Sequence, residues 1–225
     1  MKRISRNEVI EISKTTGDAS ECDLSGINLS GLNLIGMNFK KCNLKGANLS
    51  KSNFSGSDFE DSDISESDLS TSNFSGANMK GANLSQCDMS FSSLIGVNFS
   101  GANLFKANLK VSTLAVANFH GANLKEANLQ QTDAVLCDFS DADLRNANIF
   151  GSNMTMANLS GARLDGANLD KVDFSGANLS KADLSGASLI DVSLINANLN
   201  DANLSGSRLK IVDSTRAIFD NTKMD

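Results

Sequence analysis

Large apolar side chains recur at every fifth position from Leu24 to Phe219, at numbers ending in 4 or 9, through forty units without an inserted or deleted residue. Thirty-eight of these central positions hold Leu, Phe, Met or Ile; the exceptions are Ala134 and Ser214. Two residues before each centre stands a smaller residue, most often Ala, otherwise mainly Ser, Cys or Val. Between the two lies Asn or Asp in 33 units, and every glycine except Gly17 falls two residues after a centre. Ala47-Asn48-Leu49-Ser50-Lys51 and Ala122-Asn123-Leu124-Lys125-Glu126 are representative. A helical period of 3.6 does not generate this pattern, and neither does the alternation of a long strand. Self-similarity at fixed spacing predicts a solenoid.

The chemistry of one unit follows from its side chains. Centre and small residue are two apart, so in an extended segment both point inward while Asn or Asp points out. Gly two residues after the centre suits a corner with positive φ, and Asn and Asp also tolerate turns. Each pentapeptide is therefore one short side and one corner. The number of sides follows from which residues recur. The Phe centres 39, 54, 59, 74, 99, 119, 139, 174 and 219 occupy only two of the four places in a 20-residue cycle. The inward series Leu32, Ser52, Ser72, Ser92, Ser112, Thr132, Ser152, Val172, Val192, Val212 contains no Ala, although Ala dominates elsewhere. A three-sided coil would scatter both sets, so the reading is four sides and 20 residues per turn.

These units closely resemble the pentapeptide-repeat family, whose pattern is Ala-Asp/Asn-Leu-x-x. The resemblance implies an all-β solenoid, a right-handed quadrilateral parallel β-helix. Residues 22–221 would make about ten coils, and at ~4.8 Å per coil the rod would be ~48 Å long. Ahead of them, residues 1–21 read as a capping segment. Ser5 and Glu8 have capping-box spacing, Val9, Ile10 and Ile12 supply an apolar face, and Gly17 is a stop. A short helix over 6–15 is expected to cover the first coil, whose Ile27, Leu32 and Met37 are large enough to meet it. Residues 222–225 read as a short C-terminal tail.

Composition narrows the function class. The chain carries a formal charge of −6, and no apolar run is long enough to span a bilayer. The Lys2-Arg3 start is not followed by the apolar stretch of a signal peptide. Cys22, Cys42, Cys87 and Cys137 all occupy the inward small position, where Cys serves as a small hydrophobe; a Cys22–Cys42 bridge is conceivable, but free thiols and a reducing cytoplasm fit better. His120, the sole histidine, faces outward, so no multi-His metal site is available. The Gly76/Gly81 and Gly161/Gly166 spacings arise from the repeat and lack the Lys-Ser/Thr of a phosphate loop. The acidic run Asp58, Glu60, Asp61, Asp63, Glu66, Asp68 turns around the coil and lacks an EF-hand loop. No enzyme activity, cofactor, metal or membrane association is expected.

Two surfaces stand out. At outward positions that elsewhere hold Ser, Gly, Lys or Asp, one side carries Ile95, Ala115, Val116, Val135, Leu136 and Met156, and the neighbouring corner adds Phe91 and Val111. Residues 20 apart stack at ~4.8 Å, so these form one patch across coils four to seven. Such a cluster marks an interface with another protein. The competing reading is local drift, with Ala134 vacating the core and Leu136 turning inward. The second surface is the last coil, where Val212, Ile218 and Phe219 are expected to join two copies of the chain end to end, a two-fold arrangement also found in gyrase-directed members of the family. The resemblance implies a further function, because some members protect gyrase and topoisomerase IV by mimicking duplex DNA. DNA of this length carries roughly 28 negative charges at one per ~1.7 Å. The net charge here is −6, and the loops of the quinolone-protecting members have no counterpart in the unbroken frame. The reading is therefore a non-enzymatic binding or scaffold protein with an unidentified protein partner; direct nucleic-acid binding is not expected.

Overall fold

A computed structural model describes residues 1–225. Its main chain winds so that each residue of the Asn/Asp series pairs in parallel with the one 20 positions later. Asp23 pairs with Asn43, Asn28 with Asn48, Asn33 with Asn53, and the series continues to Asn203 with Lys223. Four pentapeptides therefore complete one turn, and the coil has four sides. The pairing alternates in direction. The Leu24 N–H donates forward to the Asn43 carbonyl at 2.7 Å, while the Asn43 N–H donates back to Cys22 at 3.0 Å. A corner every five residues leaves only about three extended residues per side, so most pairings are single bridges rather than long strands.

The corners explain the outward Asn and Asp. Asp23 Oδ1 accepts the Ser25 N–H at 3.1 Å, and Asn53 Oδ1 does the same for Ser55 at 3.1 Å. This side-chain acceptor two residues before the bend is an Asx-turn. Asn Nδ2 then donates to the equivalent residue one coil earlier, as from Asn123 to Asn103 at 2.9 Å. On one side, two successive coils lack the residue, with Ser188 and Arg208 in its place. There the Ile190 N–H turns to Asp170 Oδ1 at 3.0 Å, and the chain forms a continuous ladder. In chain order the elements are β1 (Lys2–Arg3), α1 (Arg6–Ser13), β2 (Cys22–Asp23), β3 (Ser188–Ser193) and β4 (Arg208–Asp213). β1 pairs in parallel with β2, and β3 with β4.

The core is one continuous column. Phe99, Phe119 and Phe139 stack with centroids 4.7 Å apart, and Phe39 with Phe59 and Phe54 with Phe74 at 5.0 Å. Coil spacing sets these distances, so the aromatic rings follow the backbone pitch. The side without Ala has a physical cause that the sequence pattern alone did not supply. Ser52 Oγ accepts the Leu32 N–H at 3.2 Å and donates to the Leu29 carbonyl at 2.9 Å. In an ordinary corner those two groups bond directly, as Ala77 N–H to Phe74 carbonyl at 2.8 Å. Ser72, Ser92 and Ser112 repeat the insertion coil after coil. These buried hydroxyls are thus hydrogen-bonded, as buried polar groups must be.

At the N-terminus, Ser5 and Glu8 make the reciprocal capping box of α1. The helix ends at Ser13, two residues earlier than the sequence indicates, and the Gly17 N–H closes its end onto Ile12 at 2.9 Å. Val9 is fully buried within the core column. Carbonyls on the outer edge of the first coil receive guanidinium donors: Arg6 bonds Asn28 and Ser30, and Arg3 bonds Ser25. The coil geometry begins before residue 22, since Asp18 pairs with Asn38 and Ala19 is buried. Asp18-Ala19 lies in the repeat frame, but Ala in place of a large centre concealed it. At the other end the ladder reaches Lys223, two residues past the expected boundary.

Candidate interfaces on one side and one end

Every corner residue from Glu21 to Asn221 has positive φ, and 25 of them are not glycine. Most of those are polar. Phe91 (φ 58°), Val111 (59°), Val116 (56°), Leu136 (58°) and Met156 (59°) are not. An L-residue in this region costs ~1–2 kcal/mol, and a β-branched one is a clear outlier. These five side chains are nevertheless held in solvent, from 37% exposed at Val111 to 59% at Phe91. Ile95 joins them at 43%, and Val135 and Ala115 are half-buried between the corners. Ala134 is fully buried while Leu136 is 54% exposed, so the core has not drifted and Leu136 has not turned inward. The sequence grouping is therefore a real surface cluster. Gly176 borders it: a Cβ there would lie 2.5 Å from the Met156 sulfur, so the missing side chain gives Met156 room to lie flat.

At the C-terminal end Val212 and Phe219 are half-buried against the core and Ile218 is 48% exposed. Ser214 replaces a large centre here, leaving a cavity of about 130 Å³ bordered by Leu194, Leu204, Leu209, Val212, Phe219 and Met224. The N–H groups of Ser214, Arg216 and Phe219 have no main-chain acceptor. The exception at Ser214 was visible in the sequence; the opening it makes depends on which coil it closes.

The chemistry-bearing residues are dispersed. His120 Nδ1 lies 2.9 Å from Ser140 Oγ on an open side. Burial pushes the Cys42 thiol up to about 11 and those of Cys87 and Cys137 to about 12, which leaves them poor nucleophiles. Each donates to a carbonyl 23 residues earlier, as Cys87 does to Ile64 at 2.8 Å, the same role a Ser hydroxyl plays. The acidic run is partly neutralised from the coil before it: Lys40 reaches Asp58 at 3.2 Å and Glu60 at 2.9 Å, and Lys45 reaches Glu66 at 3.0 Å. No cluster of three His, Cys, Asp or Glu side chains is placed to hold a metal ion, and no helix is long and apolar enough to cross a membrane.

Comparison with known proteins agrees with this geometry. A model described as pentapeptide repeats, in 8 copies, matches residues 22–61, 52–90, 82–110, 117–155, 157–194 and 187–225. The chain belongs to the pentapeptide-repeat family, whose fold is the right-handed quadrilateral β-helix and whose members are generally structural or binding scaffolds rather than enzymes. It is similar to the solved structure of HetL, a pentapeptide repeat protein involved in heterocyst differentiation regulation from the cyanobacterium Nostoc sp. strain PCC 7120. The two share 32% identity over 93% of this chain and 94% of HetL, with a TM-score of 0.90. A trypsin-treated form of QnrB1, a plasmid-mediated fluoroquinolone resistance protein, shares the fold at 20% identity over 83% of this chain and 91% of that one, with a TM-score of 0.74. No curated protein matches the sequence.

Proposed function

We propose that this pentapeptide-repeat protein is a non-enzymatic binding scaffold that engages a protein partner through the side bearing Phe91, Ile95, Val111, Val116, Val135, Leu136 and Met156. The carrying observation is the coincidence of unfavourable backbone and unfavourable exposure. Of the six bulky apolar residues that hold positive φ at corners where glycine or a polar residue otherwise serves, five cluster on one side, and the sixth is Ile211. Nothing in the folding of the coil calls for either cost, and a clustered apolar surface marks an interaction site. The likeness to HetL, a regulatory protein, supports a role exerted by binding.

The rest of the assembly belongs to the same proposal. The repeats of residues 22–221 form the ten-coil body, extended by the bridges at Asp18 and Lys223, and the helix-bearing segment before them closes its first coil. Two copies join through Val212, Ile218 and Phe219 at the last coil, and the free buried thiols suit the cytoplasm. The topoisomerase-directed alternative gains nothing from the charges, which pair between coils instead of forming an anionic rail. A gyrase supercoiling assay with the protein added separates that alternative.

The direct test is a photo-crosslinking residue at position 136 of the full chain in its host, with position 160 on another side as the control. One dominant protein adduct from position 136 and none from 160 is expected. Adducts that are equal from both positions would sink the proposal.

A further inference from the structure

The features of the patch recur 100 residues later on the same side, five coils farther along. Ser93 and Ser193 both replace the usual Asn or Asp, and each hydroxyl lies 2.9 Å from a serine of the neighbouring coil, Ser75 and Ser175. Ile95 corresponds to Ile195, and Val111 to Ile211, which is 69% exposed at φ 55°. Other positions differ in kind: Phe91 becomes Asp191, Thr113 becomes Asp213, and Ala115 and Val116 become Thr215 and Arg216. At this second place the side is grooved. A trough of about 560 Å³ lies across β3 and β4, its lining including Asp191, Ser193, Ile195, Ile211 and Asp213. Its size falls within the ~300–1,000 Å³ of ordinary ligand sites.

The two carboxylates lack cationic partners. Neither takes part in any ion pair of the chain. Asp213 Oδ1 accepts the Thr215 N–H and hydroxyl at 3.0 and 2.7 Å, which leaves Oδ2 free. Of the nearby cations, Lys171 holds its ammonium over the Phe150 ring at 5.5 Å, and Lys210 and Arg216 form no ion pair.

We propose that this groove takes a short extended segment of a partner protein in which Arg or Lys alternates with an aliphatic residue. The aliphatic side chains lie between Ile195 and Ile211, and the cations reach Asp191 and Asp213. Long basic side chains suit such a site because their stems are apolar and their charge stays at the rim. This deepens the reading of the side as a protein-binding face and rests on it. Five coils separate the groove from the Phe91 patch, ~24 Å, so one partner spans both.

The probe is a fluorescein-labelled octapeptide alternating Ile and Arg, titrated with the full-length chain by anisotropy. Peptides alternating Ile with Gln and Ser with Arg are the comparators. The Ile–Arg peptide is expected to bind at least ten-fold more tightly than either. Asp191→Asn combined with Asp213→Asn should weaken it ten-fold or more, and so should Ile211→Ser. The double Asn variant suits the fold: Asn occupies positive-φ corners at Asn146, Asn196 and Asn221, and at 213 it keeps the Oδ1 acceptor for the Thr215 N–H, as Asn53 does for Ser55. Leu136→Ser should leave peptide binding unchanged. Equal binding of the Ile–Gln peptide, indifference to the double Asn variant, or a loss with Leu136→Ser equal to that with Ile211→Ser would overturn the proposal. Crosslinking from position 136 reports on the patch separately, so failure of the groove and failure of the lateral face are distinguishable.

Discussion

Ser92 Oγ donates to the Leu69 carbonyl, 23 residues earlier, at 2.9 Å, and so occupies a corner that belongs to another coil. The same oxygen accepts the Ser72 N–H at 3.2 Å. Ser92→Ala removes the bridge and leaves the buried Ser72 N–H and Leu69 carbonyl, which make no direct bond to each other, without their common partner. A cost of ~1–3 kcal/mol is expected, the penalty for an unsatisfied buried group. Ser92→Cys should cost less, because Cys137 already makes this contact to Leu114 at 2.9 Å. Denaturant unfolding of both variants checks the order; a milder effect from Ala than from Cys would remove the bridging role.

Phe119 and His120 are adjacent but face opposite ways. Phe119 is stacked on both sides in the aromatic column, and Phe119→Ala should cost ~3–5 kcal/mol, since a rigid coil cannot collapse into the cavity. His120→Ala should stay within ~0.5 kcal/mol, as for an exposed site. Similar losses from the two would contradict the inward and outward assignment.

Val116 offers a test in the opposite direction. Val116→Gly relieves a β-branched residue at φ 56°. The gain of ~1–2 kcal/mol exceeds the ~0.5–1 kcal/mol that glycine loses in chain entropy. The variant should be equally or more stable by thermal unfolding, yet bind its partner less well. A clear drop in stability would mean that the side chain serves the fold after all.

Light scattering separates the two proposed interfaces. Phe219→Asp should convert a dimer to monomers, and Leu136→Asp should leave it intact. Dissociation by the Leu136 variant alone would make the lateral patch the self-association surface.

Much of this fold was legible because its cause is local. The five-residue frame assigns each side chain to inside or outside, and the two-column restriction of Phe counts the sides. Other features depend on neighbours 20 or 23 residues away. The bridging role of Ser52 appears only when Leu29 and Leu32 lie beside it. Asp18-Ala19 carries no hydrophobic signal, because its centre is small. The patch was legible as composition, but its backbone cost was not, since positive φ at Val111 or Leu136 is imposed by the corner rather than preferred by the residue. The Asp191–Asp213 groove needed β3 and β4 to lie side by side.

The unbroken frame also makes the molecule a measuring rod with a phase. Inserting 20 residues between Met156 and Asp191 would move the groove one rung farther from the patch, ~4.8 Å, without turning it. Inserting five would leave every unit folded and rotate the groove onto a different side. Length and facing can thus change independently, each in fixed steps, and a partner that spans both places reads the sum of the two.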